Sequence, residues 1–140
     1  MTTQDIQEKI IEEFKIFNNL MDKYDYLIKL GKNLPSIDPQ YKIDGNLIKG
    51  CQVRTWFHST IKDGKVFYDV DSASALTRGF ITLLLKVLSG RAPDDIKNTE
   101  LYFIDKAGLR ESFSPLRANS LWKLLTRMQS DAVLYGTKKL

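Results

Sequence analysis

The sequence predicts an α+β fold in which a small three-stranded antiparallel sheet packs against several helices. Three observations predict it. Apolar residues recur at steps of three and four before residue 31 and again beyond residue 75, the spacing of one helical face. Between those regions lie two runs rich in β-branched and aromatic residues, 53–61 and 65–70, joined by Asp63-Gly64, the pair favoured in a type I′ hairpin turn. Helices on either side of an antiparallel hairpin, without alternating strand and helix units, define the class.

Thr2 or Thr3 caps the first helix, with Asp5 in its first turn. Ile6, Ile10, Phe14, Phe17, Met21 and Tyr24 form one face, which Asn18-Asn19 breaks or bends into two helices. The second carries Leu20, Tyr24, Leu27, Ile28 and Leu30, with Gly31 as its stop. Pro35 and Pro39 make 32–45 a loop. A short strand over 46–49 leads to Gly50, followed by the hairpin. Its turn fixes a register: Lys62 faces Lys65, Ile61 faces Val66, Ser59 faces Tyr68 and Phe57 faces Val70 on the buried side. On the other side Thr60 meets Phe67, His58 meets Asp69 and Trp56 meets Asp71. Ser72 or Ser74 caps a helix with the stripe Leu76, Phe80, Leu83, Leu84, Val87 and Leu88, ended by Gly90. Pro93-Asp94-Asp95 begins a short helix. Residues 101–109 read as helix with Gly108 as a stop. Ser114-Pro115 starts a long helix with Leu121, Leu125, Met128 and Ala132 inside, Trp122 and Tyr135 alongside, and Gly136 at its end.

The 140 residues read as one domain, 1–140, without repeat or linker. A hydrophobic share of 43% supports a real core. The 21 basic and 17 acidic residues leave +4, spread along the chain and not gathered in a stripe, which argues against nucleic acid. The longest apolar run, 80–88, contains Lys86 and is far shorter than the roughly 20 residues of a membrane span. Met1 to Asp5 is polar and gives no signal peptide. A single cysteine excludes an internal disulfide and fits a reducing compartment, so a cytoplasmic setting is expected.

Cys51 is the one candidate nucleophile. One cysteine and one histidine do not make a tetrahedral zinc site, and no glycine-rich phosphate loop is present. Free cysteines are most often small buried apolar side chains. The Gly50-Cys51 junction at a strand edge argues instead for a tight, irregular setting. Thiol hydrolases pair the sulfur with a histidine base. On one extended strand Cys51 and His58 would stand more than about 20 Å apart and on opposite faces. Asp69 gives His58 an ordinary cross-strand partner. A cysteine phosphatase would need an arginine where Phe57 stands. A thiol without its own base suits exchange with an activated sulfur brought by another molecule. Cys51 shares odd numbering with Val53, Phe57 and Ile61, so an unbroken strand would turn it inward, toward apolar cover. Arg117, in the first turn of the last helix, is a solvated surface cation or, with the helix dipole, an anion attractor. Lys49 and Arg54 flank the cysteine in sequence and would help in the same way.

Gly50-Cys51-Gln52 with Trp56, after Asn46-Leu47-Ile48-Lys49, carries a resemblance that extends through Asp71-Ser72, Gly79 to Leu88 with Ser89-Gly90, and Ser114-Pro115-Leu116-Arg117-Ala118-Asn119. From Ile10 to Tyr135 the chain resembles the SufE family, sulfur-acceptor partners of cysteine desulfurases in iron–sulfur cluster assembly. The resemblance implies a fold like that of the iron–sulfur scaffold proteins. It implies that Cys51 takes persulfide sulfur from a pyridoxal-phosphate-dependent cysteine desulfurase, stimulates that enzyme, and passes sulfur to a scaffold complex. It places Cys51 at a loop tip, sheltered until the partner docks, with Gly50, Gln52 and Arg117 in support. Lys49, Arg54, Asp71 and Ser72 are the expected partner-binding positions. No cofactor is expected on this chain, the pyridoxal phosphate belonging to the partner, and no independent turnover. The sequence departs from the family pattern at Val53, usually serine, and at Ser120, often glycine. A monomer and a weak homodimer stay open, as does a docking module that activates a partner without carrying sulfur. Cys51 itself separates the two functions, since docking alone requires no thiol.

Overall fold

A computed structural model describes residues 1–51, 53–110 and 115–137, with side chains in the last segment from Ala118 onward. Among the described residues, six α-helices and one hairpin follow in order: α1 (Thr3–Phe14), α2 (Leu20–Lys32), β1 (Thr55–Lys62), β2 (Lys65–Ser72), α3 (Ala75–Leu88), α4 (Pro93–Lys97), α5 (Phe103–Lys106) and α6 (Pro115–Thr137). Two single 3-10 turns, Pro39–Tyr41 and Asp44–Asn46, punctuate the long connection before β1. Among the described residues no helix is long and apolar enough to cross a membrane.

The helix starts follow local chemistry. Thr2 closes a capping box with Asp5, each accepting the other's backbone N–H. Asn19 ends the first helical pattern by capping the second, its side chain accepting from Asp22 N–H at 2.9 Å. Ser74 caps α3, and Pro93 occupies the first turn of α4. The expected cap Ser114 lies outside the described residues.

The hairpin register is the predicted one at every pair from Thr55–Ser72 to Lys62–Lys65. Asp63 and Gly64 both have positive φ, 53° and 75°, as a type I′ turn demands. Phe57, Val66, Tyr68 and Val70 enter the core. Ile61, near the hairpin tip, stays 39% exposed although Val66 opposite it is fully buried, so the expected buried face does not extend to it. The sheet has two strands among the described residues, not three. Residues 46–49 reach β1 only through a Leu47–Trp56 bridge, with Ile48 N–H donating to the Thr55 carbonyl at 2.9 Å. The Lys49-Gly50 turn then leads the chain away before a ladder can form. A matching bridge, Val66–Arg91, finishes the other edge.

Gly31 was expected to stop α2 and instead lies inside it, with Asn33 as the C-cap. Its role is steric: a Cβ there would lie 2.8 Å from Gly79 N, and one on Gly79 would lie 2.7 Å from the Leu27 carbonyl carbon. The two glycines let the α2 and α3 backbones touch. Gly136 likewise lies inside α6 and does not end it. Within α6, Leu124 joins the inner stripe with Leu125, Met128 and Ala132, while Trp122 is 68% exposed. One apolar cluster runs from Ile10 to Ala132 and includes residues of all six helices and both strands.

Candidate functional site

The Cys51 segment is a loop tied at its base. Asn46 donates its side-chain amide to the Tyr41 carbonyl at 2.8 Å, setting the approach. The Ile48–Thr55 hydrogen bond closes the stem, and Arg54 is anchored by Ala73 N–H donating to its carbonyl at 2.9 Å. Gly50, with φ of 80°, makes the reversal that puts Cys51 beyond the stem. Because β1 begins only at Thr55, strand parity does not govern the thiol. Cys51 is half-buried and faces α6, not the apolar face of the sheet. Its Sγ lies 3.9 Å from the Ser120 carbonyl oxygen, the direction of its S–H donor.

Helix α6 provides a second contact that sequence reasoning missed. Lys123 Nζ donates a long hydrogen bond, 3.5 Å, to the Lys49 carbonyl, and its side chain passes directly over Gly50. A Cβ on residue 50 would collide with that ammonium and lie 3.4 Å from Lys123 Cε. Ser120 and Lys123 are one turn apart on the helix, so both face the loop. The periodicity of α6 shows which residues face its core; no sequence signal shows which loop covers its far side.

The other expected positions separate. Lys49 and Arg54 are exposed and flank Cys51 in sequence, and Lys123 reaches the Lys49 carbonyl. Arg117 lies in the first turn of α6, on the same helix as Ser120; its side chain, like Gln52, lies outside the described residues. Asp71 and Ser72 are not on the surface. They are 2% and 5% exposed, which removes them as partner-binding residues. Asp71 is ion-paired with Arg78 and accepts Ser72 N–H at 2.8 Å and Ile37 N–H at 3.3 Å. Ser72 Oγ accepts from Thr55 Oγ1 at 3.3 Å, at the base of the loop. They build the floor from which the loop rises.

His58 has partners of its own. It stacks on Tyr41, centroids 3.8 Å apart and 12° between planes, and stands opposite Asp69 in the ladder. Among the described residues no three His, Cys, Asp or Glu side chains converge as metal ligands. The arrangement therefore offers a sheltered thiol, a helix backbone that accepts its proton in a weak hydrogen bond, and cations that flank it in sequence. It provides a sulfur nucleophile, with no base among the described residues shown hydrogen-bonded to it to drive hydrolysis.

A protein-family model described as "SufE: Fe-S metabolism associated domain" matches residues 8–132. An uncharacterized SufE-like protein of Synechocystis sp. is 32% identical over 91% of this chain and 80% of its own length. The sulfur acceptor protein CsdE of Escherichia coli is 32% identical over 84% of this chain and 78% of its own. A solution structure of a hypothetical protein from Thermus thermophilus shares the fold, with a TM-score of 0.76, 23% identity, and coverage of 94% and 96% of the two chains.

Proposed function

The chain belongs to the SufE family, and from that premise we propose that it is a sulfur-transfer protein of iron–sulfur metabolism with Cys51 as the sulfur acceptor. The observation that carries the reading is the family's match around a lone thiol held at a loop tip and backed by α6. The relative named as a sulfur acceptor supports it.

The donor in this proposal is the cysteine persulfide of a pyridoxal-phosphate-dependent desulfurase. The Cys51 thiolate attacks the outer sulfur of that persulfide. A new S–S bond forms on Cys51, the donor's S–S bond breaks, and the donor cysteine leaves as thiolate. The proton lost by Cys51 goes to solvent and is balanced by the one the departing thiolate can regain. No net oxidation occurs, so no further reactant is required. The loaded persulfide is passed to a scaffold complex, and unloading the donor stimulates the desulfurase. All of this is placed in the cytoplasm.

The residues around the loop divide the work. Gly50 permits the reversal that presents the sulfur, and Lys49 and Arg54 offer cations to an approaching anionic partner surface. Arg117 and the first turn of α6 supply positive potential toward the thiolate.

The test is intact-mass measurement after incubation with a cysteine desulfurase and cysteine. Cys51 should gain sulfur that a thiol reductant removes. Arg117→Ala should fold and load more slowly; unchanged loading removes Arg117 from the account. A Cys51→Ser chain that stimulates the desulfurase as fully as the native one would leave docking alone as the function.

A further inference from the structure

We propose that Lys123 is a positioning residue for Cys51, clasping the loop shut against α6 in the free protein. Among the described residues, two independent contacts hold the loop to this helix. One is the thiol itself, directed at the Ser120 carbonyl 3.9 Å away. The other is the Lys123 ammonium, 3.5 Å from the Lys49 carbonyl and seated over the bare Cα of Gly50. The loop tip has no ladder of its own, since the described pairing ends at Ile48–Thr55. Among the described residues, α6 supplies the contacts to the loop tip.

Glycine at position 50 answers two demands. Its φ of 80° favours a residue without Cβ, and the missing Cβ is the space the lysine arm occupies. The pair Gly50 and Lys123 acts as a catch and its seat. While it is engaged, Cys51 is half-buried and its sulfur faces protein backbone. When it releases, the tip is free to swing from α6 and present the sulfur. That the presented sulfur takes part in transfer rests on the reading above; the clasp itself is a property of the free chain.

The experiment measures the alkylation rate of Cys51 by iodoacetamide in the free protein, without any desulfurase. A net hydrogen bond of ordinary strength corresponds to about two- to tenfold in an opening equilibrium, so Lys123→Ala should alkylate faster by about that factor. Its thermal unfolding midpoint should fall by no more than about 5 °C, as the loss of one such contact allows. Gly50→Ala should also accelerate alkylation, but less in the Lys123→Ala background, where no arm remains to collide with the new Cβ and only the strain of the positive φ is left. A native rate in Lys123→Ala overturns the proposal. So does a fall in the unfolding midpoint well beyond about 5 °C, which would mark general unfolding and not local release, or two substitutions whose effects simply multiply. The readings fail separately: equal alkylation rates sink the clasp, whereas a Cys51 that gains no sulfur from a desulfurase sinks the carrier.

Discussion

Asp71 holds a carboxylate where almost no water reaches it, and three groups make that tolerable. Ser72 N–H and Ile37 N–H donate to it, and the Arg78 guanidinium pairs with it. Arg78 also donates to the Gly31 carbonyl at 2.9 Å and to the Leu34 carbonyl, so one side chain serves the end of α2 and the floor of the Cys51 loop. Removing one partner of a buried pair costs far more than the pair is worth, because a charge is left unpaired. Arg78→Met should therefore lower unfolding stability in urea by about 3 kcal/mol; a loss below about 1 kcal/mol would mean that water already screens the pair. The sequence brings Asp71 opposite Trp56 through the hairpin register, which is how its place was legible. Its burial was not, because Arg78 approaches from α3 and no local pattern records that. Gln7 is a similar case. It is fully buried in α1, donates to the Glu100 carbonyl at 3.0 Å and accepts Phe103 N–H at 3.1 Å, a role visible only once α5 is in place.

Among the described helices, α2 and α3 meet most extensively. Gly79 faces the Leu27 peptide, and Gly31 faces the Ala75 carbonyl and Gly79 N. Alanine is the better helix former by about 1 kcal/mol, so propensity alone predicts that Gly79→Ala stabilises. The geometry predicts the reverse, since the added methyl would meet backbone that has nowhere to go. Gly79→Ala should destabilise by about 1–3 kcal/mol in denaturant unfolding, and a stabilised variant would show that the helices are not in contact there. The hairpin was the most legible element because Asp63-Gly64 sets both turn and register within a few residues. Two helix starts were legible to within a residue or two for the same local reason: of the candidates Thr2 or Thr3 and Ser72 or Ser74, Thr2 and Ser74 are the caps, while Asn18-Asn19 was legible as a break and Asn19's capping role was not. The third strand was misread because an extended sequence at 46–49 says nothing about how long it stays beside β1. Gly31 and Gly136 were misread as stops because a glycine needed for close packing and one needed for a turn look alike in sequence.

Across the whole molecule, tyrosines tie distant segments together. Tyr26 on α2 donates to Glu13 on α1 at 2.8 Å, and Tyr68 on β2 donates to the Met128 carbonyl on α6 at 2.6 Å. Burial, followed by the hydrogen bond to Glu13, pushes Tyr26 from its ordinary 10.0 up to about 12. Burial and the nearby Asp131 push Tyr68 up as well. A phenol whose proton is held more tightly in the folded state stabilises the fold below its unfolded value and loses that contribution as pH rises toward the folded one. Stability should thus decline between about pH 10 and 12. The decline should be shallower in Tyr26→Phe, measured as unfolding free energy against pH; parallel curves would contradict the assignment. At this scale the site is an assembly of remote parts. Cys51 was legible as the chain's lone thiol in a Gly-Cys-Gln setting, and His58 was legible as no partner for it. Lys123 was not, because only the packing of α6 across the loop brings positions 50 and 123 together. The central claim is that this assembled thiol receives sulfur, and intact mass on the full chain tests it most directly. After incubation with a cysteine desulfurase and cysteine, Cys51 should carry one additional, reductant-labile sulfur that is absent from Cys51→Ser. A native chain whose mass does not change while the desulfurase turns over would contradict it.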